Sequence, residues 1–370
     1  MKNTKTLSYM TRILNMNIES KTAFICVTKN AMNLAINISN IMEDGDVYVT
    51  EKLLYNLDKN TQSLNVIEGK LSDFMPKLFR NYEVLIFIMA TGIVVRSIAN
   101  EIKSKFDDPA ILVIDEKGKN VISLLSGHMG GANEMTNYIS NLIGANPVIT
   151  TATDINGKTS LDMIAKKLNA HIDNFRENVK EVNSLLVNGG SVGVFIDGDY
   201  NVDTRGLITI KNINGFHRHD KLDKIIYITN KSATEIEDGR IIKVVPRDIV
   251  IGMGCRRNTA YDDINTALED LLNKFNLDKK SLAKIGSVDV KKDEKGIIEL
   301  AKQLNIPFEI ITLEEIKKIE HKFQKSDFVK KSIGVYCVAE PVAYILSNKN
   351  LIVEKHKYKG ITFSIGRLNV

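Results

Sequence analysis

The sequence has 370 residues, of which 44% are hydrophobic and 26% are charged, and its formal net charge is +5 at pH 7. This composition is typical of a globular protein of two or three domains. There is no apolar run of about 18 residues to span a membrane, and no arginine block interleaved with aromatic residues to bind nucleic acid. Three widely spaced cysteines, Cys26, Cys255 and Cys337, and the lack of a signal-peptide core predict a cytoplasmic protein.

The N-terminal part of the chain alternates buried strands with amphipathic helices. Residues 1–20 are polar and predict a flexible lead-in, and residues 21–147 predict an N-terminal α/β domain. Its predicted strands are Thr22–Val27, Val84–Met89, Ala110–Ile114 and Val121–Leu125. Its predicted helices are Asn30–Met42, Ile93–Ser104 and Ala132–Ile143.

Two further domains follow. Residues 148–245 predict a central domain that opens with the strand VITTATD and the helix Ser160–Asn169, followed by short strands in VGVFIDG, LITIKN and IIYITN. Pro246 and Arg247 form a linker, and residues 248–370 predict a C-terminal α/β domain. It begins with the strand IVIGMG and a helix near Ile264–Phe275, followed by strands at Ala283–Val288, Phe308–Ile311, Ile333–Ala339 and Ile361–Ile365. The alternation predicts a multi-domain α/β fold of layered strand–turn–helix units with partly parallel sheets.

The turn Ser126–Gly131 is the strongest candidate for a functional site. It follows a buried strand and precedes a helix, so that backbone N–H groups and a positive helix end face a crevice. His128 in this turn could act as a catalytic base, with Glu134 in the first helical turn. The alternative is a histidine that is satisfied by a backbone carbonyl, in a turn that needs glycine only for its conformation.

Two other turns of the first half could bind a ligand. In Met89–Arg96, the hydroxyl of Thr91 and the amides near Gly92 could hold an anion, or the turn is simply a capped helix with a surface arginine. The turn Thr150–Gly157 is crowded with hydroxyl groups. Its carboxylate, Asp154, could orient an imidazole or cap the next helix.

The turn Gly252–Thr259 begins like a dinucleotide fingerprint, but Arg257 stands where the third glycine would be. Arg256 and Arg257 before a helix suit carboxylates better, since a guanidinium binds them through two hydrogen bonds. Cys255 is either an activated thiolate or a small buried residue. This turn and the segments around Lys292, Ala339–Pro341 and Lys355–Lys359 are expected to surround one end of an α/β sheet as an anion-binding crevice.

One spacing resembles a metal site. In His217-Arg218-His219-Asp220 the two imidazoles would share a face of a strand, but no third ligand stands at a zinc-like spacing, so a solvated loop is favoured.

Together, these blocks resemble the cobalt-precorrin 5A hydrolase family of anaerobic cobalamin biosynthesis. The segments that carry the resemblance are IMATGIVVRSIANEI, DDPAILVIDEKGKNVISLLSGHMGGANEM, VITTATDINGK, GMGCRRN, SVDVKKDEKGIIELAKQLNIP, VAEPVA and LIVEKHKY. They keep their order from about residue 21 onward. The resemblance implies N-terminal, central and C-terminal regions, with the lactone chemistry in the first two, because the last third is similar to a stand-alone protein of the oxygen-dependent route.

The family resemblance implies a substrate that carries its own cobalt, so no protein cofactor or metal ligand is expected. Water opens a δ-lactone on the macrocycle, and a two-carbon unit leaves as acetaldehyde. This chemistry needs a base, donors to an oxyanion, and cations for the substrate's carboxylates. The catalytic candidates are His128, Glu134 and Asp154. The candidate substrate-binding residues are Thr91, Gly92, Arg96, Gly130, Gly131, Asn133, Arg256, Arg257, Lys292, Glu340, Lys355 and Lys357.

Two other functions stay open at this point. One is a protein that carries an anionic tetrapyrrole without reacting, and the other is a corrinoid methyltransferase with a nucleotide-like cofactor at Gly252–Gly254. The expected partner is the small cobalt-corrinoid substrate, with transient contacts to other cobalamin-pathway enzymes and none to nucleic acid or membranes.

Overall fold

The structure, a computed structural model, describes residues 22–54, 64–212, 221–233 and 238–370. Within them the strands are β1 Thr22–Cys26, β2 Asp46–Thr50, β3 Asn65–Ile67, β4 Val84–Ile88, β5 Ala110–Ile114, β6 Asn120–Leu125, β7 Asn146–Val148, β8 Val192–Ile196, β9 Ile208–Ile210, β10 Lys224–Ile228, β11 Ile241–Val244, β12 Ile249–Cys255, β13 Leu282–Val288, β14 Phe308–Ile311, β15 Leu351–Tyr358 and β16 Ile361–Arg367.

The α-helices of the same residues are α1 Lys29–Met42, α2 Glu51–Leu54, α3 Leu71–Asn81, α4 Thr91–Ile98, α5 Ala132–Ile143, α6 Ala152–Ile155, α7 Leu161–Lys167, α8 Phe175–Val187, α9 Tyr261–Lys274, α10 Lys295–Leu304, α11 Leu313–Ile319, α12 Asp327–Ile333 and α13 Ala339–Leu346. None of these helices combines the length and hydropathy that crossing a bilayer requires. The predicted lead-in and the His217–Asp220 segment lie outside the described residues.

The first compact unit ends at Asn156 and contains a seven-stranded sheet in the order β3-β2-β1-β4-β5-β6-β7. Strands β1 to β5 are parallel, β6 runs antiparallel to β5, and β7 is parallel to β6. Alternate residues of β1 pack into two cores: Phe24 packs in one with α1 and α5, and Ile25 packs in the other with α3 and α4. Burial on both faces explains why β1, β4 and β5 are apolar throughout.

The second compact unit begins at Gly157 and contains two sheets. The four-stranded sheet has the order β11-β10-β8-β9 and is parallel, and the five-stranded sheet has the order β14-β13-β12-β16-β15. Strands β12, β13 and β14 are parallel, whereas β16 is antiparallel to both β12 and β15. The predicted α/β fold with partly parallel sheets is therefore confirmed.

The first compact unit extends beyond the predicted domain limit at residue 147. Strand β7 pairs with β6, and the segment after it, as far as Asn156, stays with the first sheet. The prediction that VITTATD is a strand is wrong, because pairing stops at Val148 and Ala152–Ile155 is helical. Hydroxyl and β-branched residues in this segment mimic a strand pattern, but Thr151 precedes a helix.

Two other predicted elements differ from the structure. Helix α4 begins two residues before the predicted Ile93 and ends at Ile98. The predicted strand Ile333–Ala339 is wrong: Gly334 ends helix α12 with φ +86°, and Val335 and Cys337 are buried without a strand partner. An apolar run reports burial, and burial alone does not require a strand.

Candidate active site

The turn that carries His128 is held by close backbone contacts. Ser126 has a positive φ of 58°, which is uncommon for a residue other than glycine. A Cβ atom on Gly130 would lie 2.5 Å from the Cβ of Ser126, so only glycine fits there. The N–H of Gly131 donates to the carbonyl of His128 at 3.1 Å. This amide, predicted as an oxyanion donor, is therefore engaged within the turn.

His128 and Asp154 come together because β6 and β7 are parallel. The two strands end at the same edge of the sheet, and the turn after β6 meets the segment after β7. The Nε2 atom of His128 lies 3.0 Å from Oδ2 of Asp154 and 3.1 Å from the hydroxyl of Thr153. Of the two roles predicted for Asp154, the structure shows the one in which it orients an imidazole.

The charges of this pair set the histidine tautomer. An ionised carboxylate only accepts hydrogen bonds, so Nε2 of His128 carries the proton that points to Asp154. In the neutral imidazole the lone pair then sits on Nδ1. The side chain of His128 is 15% exposed and that of Asp154 is 41% exposed, so the pair lies at a partly open edge. This arrangement suits a histidine that accepts a proton through Nδ1.

Asn133 is buried behind the pair, although it was predicted to contact substrate. It is 5% exposed, and its Nδ2 group donates to Oγ1 of Thr151 and to Oδ2 of Asp154, both at 2.9 Å. The hydroxyl of Ser123 donates to Oδ1 of Asn133 at 2.6 Å.

Glu134, the other catalytic candidate, is partly buried in the first turn of α5. Ser123 and Thr153 were not predicted as site residues. The pattern that indicates Ser123 is the strand face that it shares with buried Val121.

Thr91, Gly92 and Arg96 lie at the other edge of the same sheet. They follow β4, and β4 and β6 point in opposite directions because β6 is antiparallel to β5. The turns that carry Thr91 and His128 therefore lie at opposite ends of the strands. The loop between β5 and β6 is short and forms an antiparallel hairpin, which separates the two turns.

A cleft of about 340 Å³ lies at the Thr91 edge. It opens between the ends of β1 and β4, where the strand order reverses, which is the usual binding position in doubly wound sheets. Thr28, Thr91 and Glu116 contribute its polar groups, and the hydroxyl of Thr28 donates to Glu116 at 2.8 Å. The guanidinium of Arg96 folds back toward Gly92, since a Cβ atom there would lie 3.5 Å from it.

The candidate basic residues of the second unit lie at one edge of the five-stranded sheet. Arg256 follows β12 and Lys292 follows β13, and these strands are parallel. Lys357 reaches the same edge because Tyr358 and Cys255 both pair with Ile361 of β16. Arg256, Lys292 and Lys357 are exposed.

Arg257 is paired within the protein. Its guanidinium binds both oxygens of Asp293 and holds the pKa of that carboxyl below its usual range. Next to it, buried Glu294 accepts hydrogen bonds from the backbone N–H of Asn258 at 2.7 Å and from Lys291 at 3.0 Å. Arg257 thus ties the turn to Asp293, although its side chain is 52% exposed, and Arg256 beside it is exposed as well. Cys255 is half-buried, and this burial raises the pKa of its thiol, whereas an activated thiolate needs a lowered pKa.

Gly252 is explained by packing rather than by a cofactor. A Cβ atom there would lie 2.1 Å from the carbonyl oxygen of Ala339 and 2.5 Å from the nitrogen of Ala343, so glycine lets α13 approach β12. Glu340 in the same helix, which was predicted to contact substrate, is 4% exposed. It accepts a hydrogen bond from the backbone N–H of Lys355, where the pairing of β15 is irregular.

Comparison with known proteins assigns the chain to a family. Three family models match the chain: "Cobalamin synthesis G N-terminal" at residues 73–154, "Cobalamin biosynthesis central region" at 159–243 and "Cobalamin synthesis G C-terminus" at 249–366. A protein of Salmonella typhimurium named cobalt-precorrin-5A hydrolase is 38% identical over 349 residues, which cover 93% of this chain and 97% of the relative. The chain belongs to the cobalt-precorrin-5A hydrolase family.

A second relative agrees with this assignment. A Priestia megaterium protein of the same name is 32% identical over 353 residues, covering 93% of this chain and 94% of the relative. The resemblance found in the sequence is therefore confirmed. The N-terminal family model spans both the Thr91 turn and the complete His128–Asp154 site.

Proposed function

We propose that this protein is a cobalt-precorrin-5A hydrolase and that His128 and Asp154 form its catalytic pair. Relatives of that name match over 93% of the chain. The observation that carries the catalytic assignment is the 3.0 Å contact between Nε2 of His128 and Oδ2 of Asp154 at a partly exposed edge. A buried amide supports the carboxylate from behind.

In the proposed reaction, Nδ1 of His128 takes a proton from water as the water oxygen attacks the lactone carbonyl. The carbon–oxygen bond of the lactone breaks, which leaves a carboxylate on one side and a hydroxyl on the bridging carbon. The hydroxyl then gives up its proton, its oxygen becomes the carbonyl oxygen of acetaldehyde, and the carbon–carbon bond to the macrocycle breaks. The electron pair of that bond stays on the macrocycle, which takes up a proton. Asp154 stabilises the imidazolium that forms in the first step.

We further propose that exposed cations at the C-terminal sheet edge bind the carboxylate arms of the substrate. Arg256, Lys292 and Lys357 supply three such cations. Cobalt enters with the substrate in this proposal, and the protein supplies no metal ligand. A cytoplasmic location is supported by Cys26, Cys255 and Cys337, which are all unpaired thiols. Other cobalamin-pathway enzymes are then the transient partners.

An anaerobic assay tests the proposed function. Purified protein is mixed with the cobalt-bearing lactone, and acetaldehyde and the opened carboxylate are measured. The proposal requires both products in equal amounts. Binding of the lactone without release of acetaldehyde would identify a carrier protein, and methyl transfer from S-adenosylmethionine would identify a methyltransferase.

A further inference from the structure

We propose that Asn133 is a positioning residue that holds the carboxylate of Asp154 against His128. This role goes beyond the proposed catalytic pair, and its effect on turnover rests on that proposed function. The role follows from three contacts around the Asn133 side chain, from the orientation of its amide, and from the space that the turn leaves for it.

The contacts place Asn133 behind the pair. Its Nδ2 group donates to Oδ2 of Asp154 at 2.9 Å, and the same oxygen lies 3.0 Å from Nε2 of His128. One carboxylate oxygen is therefore fixed from two sides. Asp154 needs this support because it stands on a helix of four residues and its side chain is 41% exposed.

The orientation of the amide is set by the carboxylate of Asp154, and Ser123 holds the opposite end of the amide. The Ser123 hydroxyl donates to Oδ1 of Asn133 at 2.6 Å, so both hydrogens on Nδ2 are directed to Thr151 and Asp154. The flipped amide would place Oδ1 against the carboxylate of Asp154, which is repulsive since both groups only accept hydrogen bonds. Ser123, on strand β6, thus anchors the amide from the side opposite to Asp154.

The turn is shaped around this amide. A Cβ atom on Gly127 would lie 2.7 Å from Oδ1 of Asn133, so a side chain at residue 127 would displace the amide. At 5% exposure Asn133 itself is closed off from solvent. The Asn of the GGAN segment therefore acts through Asp154, and a residue that acts in this way changes turnover rather than substrate affinity.

The test compares Asn133→Ala with two other variants. Ser123→Ala removes only the hydroxyl that anchors Oδ1 of the amide. Asn230→Ala is the matched control, because Asn230 is 4% exposed and donates to the carboxylate of Asp248 at 3.2 Å in the second unit. We expect Asn133→Ala to lower kcat by about 10- to 100-fold with KM changed less than twofold. Ser123→Ala should lower kcat less, and Asn230→Ala should leave kcat and KM unchanged in the folded protein.

A spectroscopic measurement separates this proposal from the proposed reaction. Long-range ¹H–¹⁵N spectra report the imidazole tautomer of His128, whose signals are identified by their loss in His128→Gln. The Nε2–H form should dominate in the wild-type protein and decrease in Asn133→Ala and Ser123→Ala. An unchanged tautomer in either folded variant, or a raised KM with normal kcat, would overturn the positioning role. The tautomer change without acetaldehyde from the wild-type protein would keep the role and overturn the hydrolase assignment.

Discussion

Val121 of β6 pairs antiparallel with Ile114 of β5, and this reversal decides which candidate groups share a site. It turns the end of β6, with His128, away from the edge that holds Thr91. Strand β7 runs parallel to β6 and brings Asp154 to the His128 edge. The first unit therefore has a cleft at one edge of its sheet and a histidine–carboxylate pair at the other.

The glycines of β12 give a test of packing with a control two residues away. Gly252→Ala should destabilise the protein by about 1–3 kcal/mol or more, because the new methyl group meets backbone atoms of α13 that cannot move aside. Gly254→Ala should change stability far less, since its nearest neighbour is Val338 at 3.6 Å. Urea unfolding measures both, and equal stability losses would contradict the packing explanation.

Tyr200 is expected to affect stability in a pH-dependent way. Its hydroxyl donates to Oδ2 of buried Asp248 at 2.9 Å. Burial raises the pKa of the Asp248 carboxyl, which the Tyr200 hydrogen bond counteracts. Tyr200→Phe should therefore raise that pKa further. It should also lower the free energy of unfolding by about 1.5–3 kcal/mol at neutral pH, the usual contribution of a hydrogen bond to a charged group.

The sign of the pH dependence follows from proton binding. A carboxyl whose pKa is raised on folding holds its proton to a higher pH in the folded state, so stability falls as pH rises above the unfolded pKa of about 3.9. In urea unfolding, Tyr200→Phe should thus lower the free energy of unfolding less at pH 4.5 than at pH 7.5. Tyr227→Phe is the control, with its hydroxyl 3.4 Å from Asp197. A loss of equal size at both pH values would contradict this account.

The sequence predicts those parts of the structure that local patterns determine. Strand Ala110–Ile114 and helix Ala132–Ile143 were predicted with their observed bounds, because continuous apolar runs and glycine turns mark them. Strand direction is not local, so the separation of Thr91 from His128 was not predicted. Buried polar contacts are not local either, which is why Asn133 and Glu340 were expected to face substrate.

The two neighbouring arginines should behave differently. Arg256→Ala should weaken substrate binding by about two- to fivefold, because it removes an exposed cation whose pairing is worth less than about 1 kcal/mol. Arg257→Ala should instead destabilise the turn, since the carboxylate of Asp293 loses its arginine partner. Anaerobic absorbance titration measures the affinity for substrate, and thermal unfolding measures the loss of stability. If the double variant binds substrate as tightly as the wild-type protein, neither arginine belongs to the binding site.

The sharpest prediction concerns His128. His128→Ala should lower kcat by about 10²–10⁴-fold with little change in substrate affinity, because general-base catalysis by a positioned side chain contributes that much. His128→Asn should be comparably slow, since an amide cannot take the proton from water at neutral pH. The matched control is His171→Gln, because Nε2 of His171 also lies 3.0 Å from an aspartate, the exposed Asp173. The control should keep wild-type turnover.

Single-turnover release of acetaldehyde at saturating substrate decides between a catalytic and a structural role for His128. In the catalytic case, folded His128→Ala binds substrate and releases acetaldehyde slowly, and the wild-type rate falls on the acid side as the imidazole takes up a proton. In the structural case, the variant loses thermal stability and its activity follows the folded fraction. Acetaldehyde release by folded His128→Ala at close to the wild-type rate would show that His128 is not the base. Glu134 and Asp154 would then be the carboxylates to test.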